Sequence, residues 1–381
     1  MQQRSRQQRS RRRGLLAFGV VAVAMTVLLG FAACTGGDSS AGGSGSGGSG
    51  SGGSGSGQSG PGESGSSASS SGGTINLVGF AVPEAANKAI AAKWATTPEG
   101  EDVGFVTSYG ASGDQSRAVA DGLEADYVHF SVPSDVTRLV DAGLVAKDWD
   151  QGDNKGVVST SVVVFAVPKG NPDGIEDWDD LIEPGMEIVT PNPASSGAAR
   201  WNALAAWGQV LAEGGTEADA LDYVTKLYGN VVSLPNSGRD ATTAFTSGTG
   251  NVFLTYENEA ILARQNGEDF DYVIPATTLK IENPGAVLVD ATPKATAWLD
   301  FVLSKDGQRE FALKGFRPLE SAGVEVDEVQ GATDPSDPFP EVEHLMTVQD
   351  TFGGWADLSK DFFAEDTGAI TKVIAESGKA Q

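Results

Sequence analysis

Cysteine and histidine are almost absent from this chain of 381 residues. Cys34 is the only cysteine, so no intramolecular disulfide can form, which excludes the disulfide-stabilised class of secreted domains. His129 and His344 are the only histidines, and no cluster of histidine and cysteine can be written that would bind zinc. A Walker A sequence is also missing, so the chain does not hydrolyse ATP through a P-loop.

Basic residues are scarce as well, with 26 lysines and arginines against 51 acids. Six of the arginines lie in the first thirteen residues, so removal of residues 1–33 changes the formal charge from −25 to −31. Such a surface repels nucleic acids and anionic lipid head groups, and we expect no nucleic-acid partner. It also repels anions at long range, so an anionic ligand would have to be held by local dipoles.

The N-terminal 33 residues have the plan of a secretory signal, because the arginines are followed by an apolar run over residues 15–33. Small residues precede Cys34, as in a lipobox, which predicts cleavage and a lipid anchor on Cys34 at the extracellular face of the plasma membrane. The alternative is an uncleaved anchor, since a run of about 18 apolar residues nearly spans a bilayer. Residues 10–16 also resemble a twin-arginine export signal.

A sharp change of composition at Thr74 divides the rest of the chain. Residues 34–73 are almost entirely glycine and serine, which is typical of a flexible tether. Beyond them, short apolar runs alternate with helical stretches, which predicts α/β layers around mostly parallel strands. About 300 residues of this kind suggest two domains. Residues 295–313 are predicted to form two packed helices.

Three loops rich in glycine and serine each lead from a predicted strand into a predicted helix, at residues 108–119, 190–208 and 234–245. A helix N-terminus has unpaired N–H groups and a partial positive charge, so each loop can bind an anion. The structural alternative is that Ser112, Ser196 and Ser237 only cap their helices. The recurrence of the pattern favours a shared anion site.

The sequence supports a catalytic site less well than an anion-binding site. Residues 110–114 resemble a hydrolase nucleophile elbow, but Asp114 stands where the motif needs its second glycine. His129 lies in a strand-like run and is interpreted as structural. A secreted serine hydrolase using Ser112 or Ser196, and a structural lipoprotein, are the alternatives from other functional classes.

At these loops the sequence resembles the sulfate and thiosulfate receptors of ABC importers, which have the type II periplasmic-binding-protein fold. Further segments that carry the resemblance, in the same order, are residues 169–182, 256–260, 315–318 and 352–355. The resemblance implies two α/β lobes with a ligand cleft between them and two hinge crossovers, near Ser161 and Tyr256. The implied units are residues 74–160 plus 257–320 as lobe I, residues 161–256 as lobe II, and residues 321–381 packing on the lobes.

In that family a desolvated dianion lies between the lobes and is held by uncharged donors. The resemblance implies a monomer that binds sulfate and delivers it to a permease and its ATPase, without catalysis, cofactor or metal. Arg239 is implied to stand behind the site, and Asp114 and Asp240 are expected to face solvent. The implied donors are the hydroxyls of Ser112 and Ser196 and the amides of Val82, Ser112, Gly197, Ala198 and Gly238.

The sequence departs from the family at Tyr256, where sulfate receptors have a tryptophan whose indole N–H reaches the anion. The tyrosine hydroxyl is expected to donate instead, directly or through water. Alternatively, the pocket is altered to bind thiosulfate, molybdate or another tetrahedral oxyanion. Sulfate suits a site made only of donors because it carries no proton at neutral pH, whereas hydrogen phosphate also needs an acceptor.

Overall fold

The computed structural model describes residues 73–379. The predicted signal peptide, Cys34 and residues 34–72 of the predicted tether lie outside the described residues. No helix within residues 73–379 has the length and apolar character needed to span a bilayer.

Strands and helices alternate through most of the described chain, as the sequence predicts. The strands are β1 (Thr74–Phe80), β2 (Gly104–Gly110), β3 (Tyr127–His129), β4 (Val157–Pro168), β5 (Ile188–Val189), β6 (Val231–Ser233), β7 (Val252–Tyr256), β8 (Phe270–Val273), β9 (Thr277–Val287) and β10 (His344–Met346). The helices are α1 (Glu84–Trp94), α2 (Ser112–Ala120), α3 (Pro133–Asp141), α4 (Gly197–Ala212), α5 (Glu217–Gly229), α6 (Gly238–Thr246), α7 (Glu257–Gln265), α8 (Pro293–Leu303), α9 (Lys305–Leu313), α10 (Val348–Phe352), α11 (Trp355–Phe363) and α12 (Ala369–Glu376).

The strands form one mixed sheet in the order β2-β1-β3-β9-β4-β7-β5-β6, with β8 beside β4 and β10 beside β9. The neighbours within β2-β1-β3 and within β7-β5-β6 are parallel, because helices connect them on the faces of the sheet. Strands β4 and β9 run antiparallel to their neighbours β3 and β7 and to each other. The sheet therefore has two parallel halves joined by two long strands.

One crossover between the two halves of the sheet runs along β4. Residues 157–162 of β4 pair with β9, whereas residues 163–168 pair with β7 and β8. The second crossover differs from the expectation near Tyr256. Helix α7 and strand β8 stay with the second half of the sheet, because Ile261 and Phe270 pack in one core with Val164 and Phe253. The chain returns to the first half along β9, after residue 277.

An aromatic cluster anchors the helices on the first half of the sheet. The ring of Trp298 lies 5.4 Å from Trp94 and 4.9 Å from Phe105, and Trp94 and Trp298 are fully buried. Burial of each such side chain stabilises the fold by about 1.5–3 kcal/mol or more. Helix α8 ends at Leu303, and the Ser304 hydroxyl caps α9, so the prediction of two helices is confirmed.

The C-terminal segment lies across both halves of the sheet. Strand β10 pairs with β9, and α12 packs against α5. The ring of Trp355 in α11 lies 4.9 Å from Trp201 in α4, and Phe362 lies 4.9 Å from Trp207. These contacts cover the outer face of α4 and fix its N-terminus relative to the sheet.

Candidate functional site

The N-termini of four helices, α1, α2, α4 and α6, converge on one small cavity. They meet because each helix follows a parallel strand, and the carboxyl ends of parallel strands share an edge of the sheet. The cavity has a volume of about 10 Å³, whereas sites for drug-sized ligands have about 300–1,000 Å³. The cavity suits a small ion. Its lining residues are Phe80, Ala81, Val82, Gly110, Ala111, Ser112, Ser131, Ser196, Gly197, Ala198, Ser237 and Gly238.

Five backbone amides at this cavity have no hydrogen-bond acceptor among residues 73–379. They belong to Val82, Ser112, Gly197, Ala198 and Gly238. All five residues are buried. A buried N–H group without a partner is costly, so nearly all such groups in folded proteins are paired with protein or with a bound molecule. Five of them around one cavity, at helix N-termini, define a site for an anion.

The serines at the three predicted loops have different roles. The Ser237 hydroxyl caps α6 by accepting a bond from the amide of Asp240, which confirms the structural alternative for this residue. Ser196 and Ser112 do not cap their helices through their side chains. The Ser112 hydroxyl donates to Asp135 at 2.6 Å, whereas no bond from the Ser196 hydroxyl to another described residue is present. Ser196 therefore has a free donor at the cavity.

Charged side chains surround the site but are absent from the described residues that line it. Arg239 stands behind the cavity, paired with Glu259 at 2.7 Å, and also reaches the Val82 carbonyl at 3.4 Å. Asp114 points away and binds Asn236, and Asp240 accepts a bond from the Ser237 hydroxyl. The donors that face the cavity are thus uncharged, and no carboxylate lines it as an acceptor for a ligand proton.

Contacts between the two halves of the sheet close the cavity. The amide of Gly113 donates to the Ser195 carbonyl at 2.9 Å, and the Asn236 side chain donates to Asp114 at 2.9 Å. A Cβ atom on Gly197 would lie 2.5 Å from the side chain of Ser131 on the opposite side. The described conformation is therefore closed around the site.

Tyr256 does not line the cavity, although its hydroxyl was expected to donate to the ligand, directly or through water. Its hydroxyl instead hydrogen bonds with Ser131, which does line the cavity, at 2.7 Å. Burial raises the pKa of Tyr256, against the hydrogen bond with Ser131, so the phenol stays neutral. Sequence reasoning missed Ser131, although it follows β3 and precedes Pro133 of α3. That strand-to-helix position was the available signal.

His129 is buried between Asn87 and Ser159, at 3.3 and 3.1 Å from its two ring nitrogens. Burial lowers the pKa of His129 to about 3, so the ring is neutral. The described part of the chain contains no group of three or more histidine, cysteine or carboxylate side chains that could hold a metal ion. The environment of His129 is that of a structural core histidine.

A larger groove of about 1,280 Å³ lies between α3, the strands β4 and β9, and the C-terminal segment. Its lining carries charges of both signs, including Arg138, Asp141, Lys280 and Glu282. None of the site residues expected from the sequence lies in it. The anion cavity and this groove are therefore separate features.

Fold and cavity together define a class: a two-lobed α/β binding protein that encloses a small anion between its halves. The chain belongs to the bacterial extracellular solute-binding proteins, a family that matches residues 75–317. The predictions of a periplasmic-binding-protein fold and of solute binding rather than catalysis are thereby confirmed.

Characterised relatives extend over most of the chain. A sulfate-binding protein of Synechococcus elongatus is 43% identical over 319 residues, which cover 80% of this chain and 89% of the relative. A thiosulfate-binding protein of Pseudomonas aeruginosa is 37% identical over 294 residues, covering 74% and 86%. The solved structure of the sulfate-binding protein SubI from Mycobacterium tuberculosis is 43% identical, with a TM-score of 0.71, and covers 76% of this chain and 99% of that structure.

Proposed function

We propose that this protein captures sulfate outside the cytoplasm, between the two halves of its sheet, and delivers it to an ABC importer. The observation that carries the proposal is the set of five buried amides without acceptors at one cavity. A tetrahedral dianion supplies enough acceptor oxygens to pair with all of them. The names of the relatives in Synechococcus elongatus and Mycobacterium tuberculosis agree with this ligand.

The chemistry of the donors favours sulfate over phosphate. Only N–H and O–H groups face the ligand, and a proton on hydrogen phosphate would meet no carboxylate acceptor at the cavity. Hydrogen bonds to a charged partner contribute about 1.5–3 kcal/mol each, so five amides and one hydroxyl exceed the roughly 8 kcal/mol of micromolar affinity. The excess is offset by desolvation of the ion and closure of the halves.

We assign the ligand contacts to the amides of Val82, Ser112, Gly197, Ala198 and Gly238 and to the Ser196 hydroxyl. The Ser112 hydroxyl is excluded from this set because its hydrogen is committed to Asp135. Arg239 holds the Val82 loop through the carbonyl of Val82 and does not touch the ion. Closure stabilised by these contacts would be the state that the importer recognises.

The alternative ligand is thiosulfate, and Tyr256 is the observation that favours it. Tyrosine replaces the tryptophan of sulfate receptors here, and the relative in Pseudomonas aeruginosa is a thiosulfate-binding protein. Isothermal titration of the purified protein with sulfate, thiosulfate, molybdate and phosphate decides between them. We expect micromolar or tighter binding of sulfate and none of phosphate. Phosphate binding without sulfate binding would contradict the donor-only site.

Membrane attachment through Cys34 belongs to the same proposal. The sequence places Cys34 after small residues and before a tether of glycine and serine, so the folded part would be held at the membrane through a lipid. Substitution Cys34→Ser should release the protein from the membrane fraction and abolish incorporation of labelled fatty acid. Retention of Cys34→Ser in the membrane would favour the uncleaved anchor instead.

A further inference from the structure

Ser131 is held rigidly at the cavity by its backbone. Its amide donates to the Ser112 hydroxyl at 2.9 Å. Its carbonyl accepts bonds from the Trp201 indole at 2.8 Å and from the Asn283 side chain at 2.9 Å. The residue is fully buried and lines the cavity, so its hydroxyl is the one polar group that remains for a ligand.

The position of this hydroxyl is fixed independently by Gly197. A Cβ atom on Gly197 would lie 2.5 Å from both the Cβ and the Oγ of Ser131. The Ser131 hydroxyl therefore lies against the first residue of α4, whose amide is among the unpaired donors. An anion bound at this helix N-terminus would also be within reach of Ser131.

The Asn283 side chain holds the backbone of Ser131. The Ser131 carbonyl can only accept, so the Asn283 amide nitrogen must face it. The Ser131 and Tyr256 hydroxyls lie 2.7 Å apart, and by distance alone either could donate.

Donation from Ser131 to Tyr256 would leave a buried donor unpaired. If Ser131 donated to Tyr256, the buried Tyr256 hydrogen would have no acceptor among the described residues, since Ser131 is its only acceptor there. With Tyr256 donating, the Ser131 hydrogen is free to point into the cavity. Buried polar groups favour the arrangement in which every donor is paired.

From this geometry we propose that Ser131 donates a hydrogen bond to the bound anion, and that Tyr256 is a positioning residue that orients Ser131 without touching the anion. The inference rests on the proposed function of the cavity. The donors form one chain, from Tyr256 to Ser131 and from Ser131 to an oxygen of the ligand. An aligned chain selects for an unprotonated oxygen, because its last member can only donate.

The test is a double-mutant cycle with Ser131→Ala and Tyr256→Phe, read out as the dissociation constant for sulfate. We expect Ser131→Ala to weaken binding roughly tenfold to hundredfold, because a hydrogen bond to a charged group is lost. Tyr256→Phe should weaken it less. The double variant should bind as Ser131→Ala does, because Tyr256 acts only through Ser131.

Two results would overturn the inference. One is an unchanged affinity in Ser131→Ala. The other is a loss of sulfate affinity from Tyr256→Phe that is equally large with and without the Ser131 hydroxyl. Such a result would mean that Tyr256 contacts the anion or only supports the fold. Tyr228→Phe is the matched control, since Tyr228 is equally buried but lies in α5.

The outcome for the wild-type protein separates this inference from the proposed function. A wild type that binds no sulfate, thiosulfate or molybdate overturns both. A wild type that binds sulfate with Ser131→Ala unaffected overturns the inference alone. If Ser131→Ala does not fold, a crystal structure of the wild type with sulfate decides: we expect the Ser131 Oγ, and not the Tyr256 hydroxyl, within hydrogen-bond distance of the ion.

Discussion

The Ser112 hydroxyl donates to the buried carboxylate of Asp135 across 2.6 Å, at the edge of a cavity suited to an anion. The same oxygen accepts the amide of Ser131, and Asp135 is also paired with Arg138 at 3.2 Å. The family resemblance implies that the Ser112 hydroxyl contacts the ligand. In the structure this hydroxyl instead belongs to the framework that supports the cavity. The backbone amide of Ser112 is the group that remains for the ion.

Ser112 and Ser196 should respond differently to substitution by alanine. Ser196→Ala removes a free donor and is expected to weaken sulfate binding roughly tenfold or more, with little change in melting temperature. Ser112→Ala leaves the Ser131 amide without a partner and removes one of the two partners of the Asp135 carboxylate, so it should destabilise the free protein by about 1–3 kcal/mol and weaken binding less. Titration calorimetry and thermal unfolding measure both. The reverse order of affinities would restore the Ser112 hydroxyl as a ligand donor.

Gly197→Ala should damage the site without damaging helix α4. The added methyl group would lie 2.5 Å from Ser131, at the point where the two halves of the sheet meet, so closure around the ion must be impaired. We expect at least a tenfold loss of sulfate affinity in a titration. Gly229→Ala in α5 is the control, since its Cβ would meet open space, and it should stabilise the protein by up to about 1 kcal/mol. Equal affinities in the two variants would contradict this view of the cavity.

The ion pair between Arg317 and Glu257 should dominate the stability of the junction between α7 and the segment after α9. Two bonds of 2.6 and 2.9 Å join the groups, and Glu257 is fully buried. Arg317→Met leaves a buried carboxylate without a partner and should lower the free energy of unfolding by about 3–5 kcal/mol.

Denaturant unfolding of three variants tests this expectation. The double variant with Glu257→Gln should recover part of the loss, because no buried charge remains. Lys226→Met removes an exposed pair with Asp222 and should cost less than about 1 kcal/mol. A similar small effect for Arg317→Met would show that Glu257 finds another partner.

His129 should make the protein sensitive to acid. Its pKa is lowered by burial from 6.5 to about 3, so between these pH values the unfolded chain binds a proton that the folded chain does not. The free energy of unfolding therefore falls as the pH falls from about 6.5 towards 3, with a contribution of up to about 1.4 kcal/mol per pH unit.

His129→Gln should remove this contribution, so the difference in melting temperature between pH 7 and pH 5 should shrink. His344→Gln, at an exposed position, is the control and should leave the difference unchanged. An unaltered pH dependence in His129→Gln would assign the acid sensitivity to carboxylates.

Much of the site was predictable from the sequence because helix N-termini carry local signals. Glycine and serine after a strand marked the starts of α2, α4 and α6, and the structure brings all three to one cavity. The loop before α1 has no such composition, and only family resemblance pointed to Val82. Ser131 was not predicted because its role depends on the neighbouring chains of Tyr256 and Asn283, which lie more than a hundred residues away in sequence.

The position of the second crossover could not be predicted from the sequence. A strand that ends at Tyr256 and a helix that begins at Glu257 look the same in sequence whether or not the chain changes halves there. The choice is made by β8, whose pairing with residues 165–168 of β4 keeps α7 in the second half of the sheet. Such a pairing joins residues about a hundred positions apart, so local periodicity cannot reveal it.

Strand β4 completes both halves of the sheet, since residues 157–162 pair with β9 and residues 163–168 pair with β7 and β8. Neither half could be produced alone as a stable fragment, because each would leave six residues of β4 as an unpaired edge that invites aggregation. The protein should consequently lose both halves in a single cooperative transition. A chimera that exchanges ligand preference would have to replace the loops at the cavity and keep β4 and β9 intact.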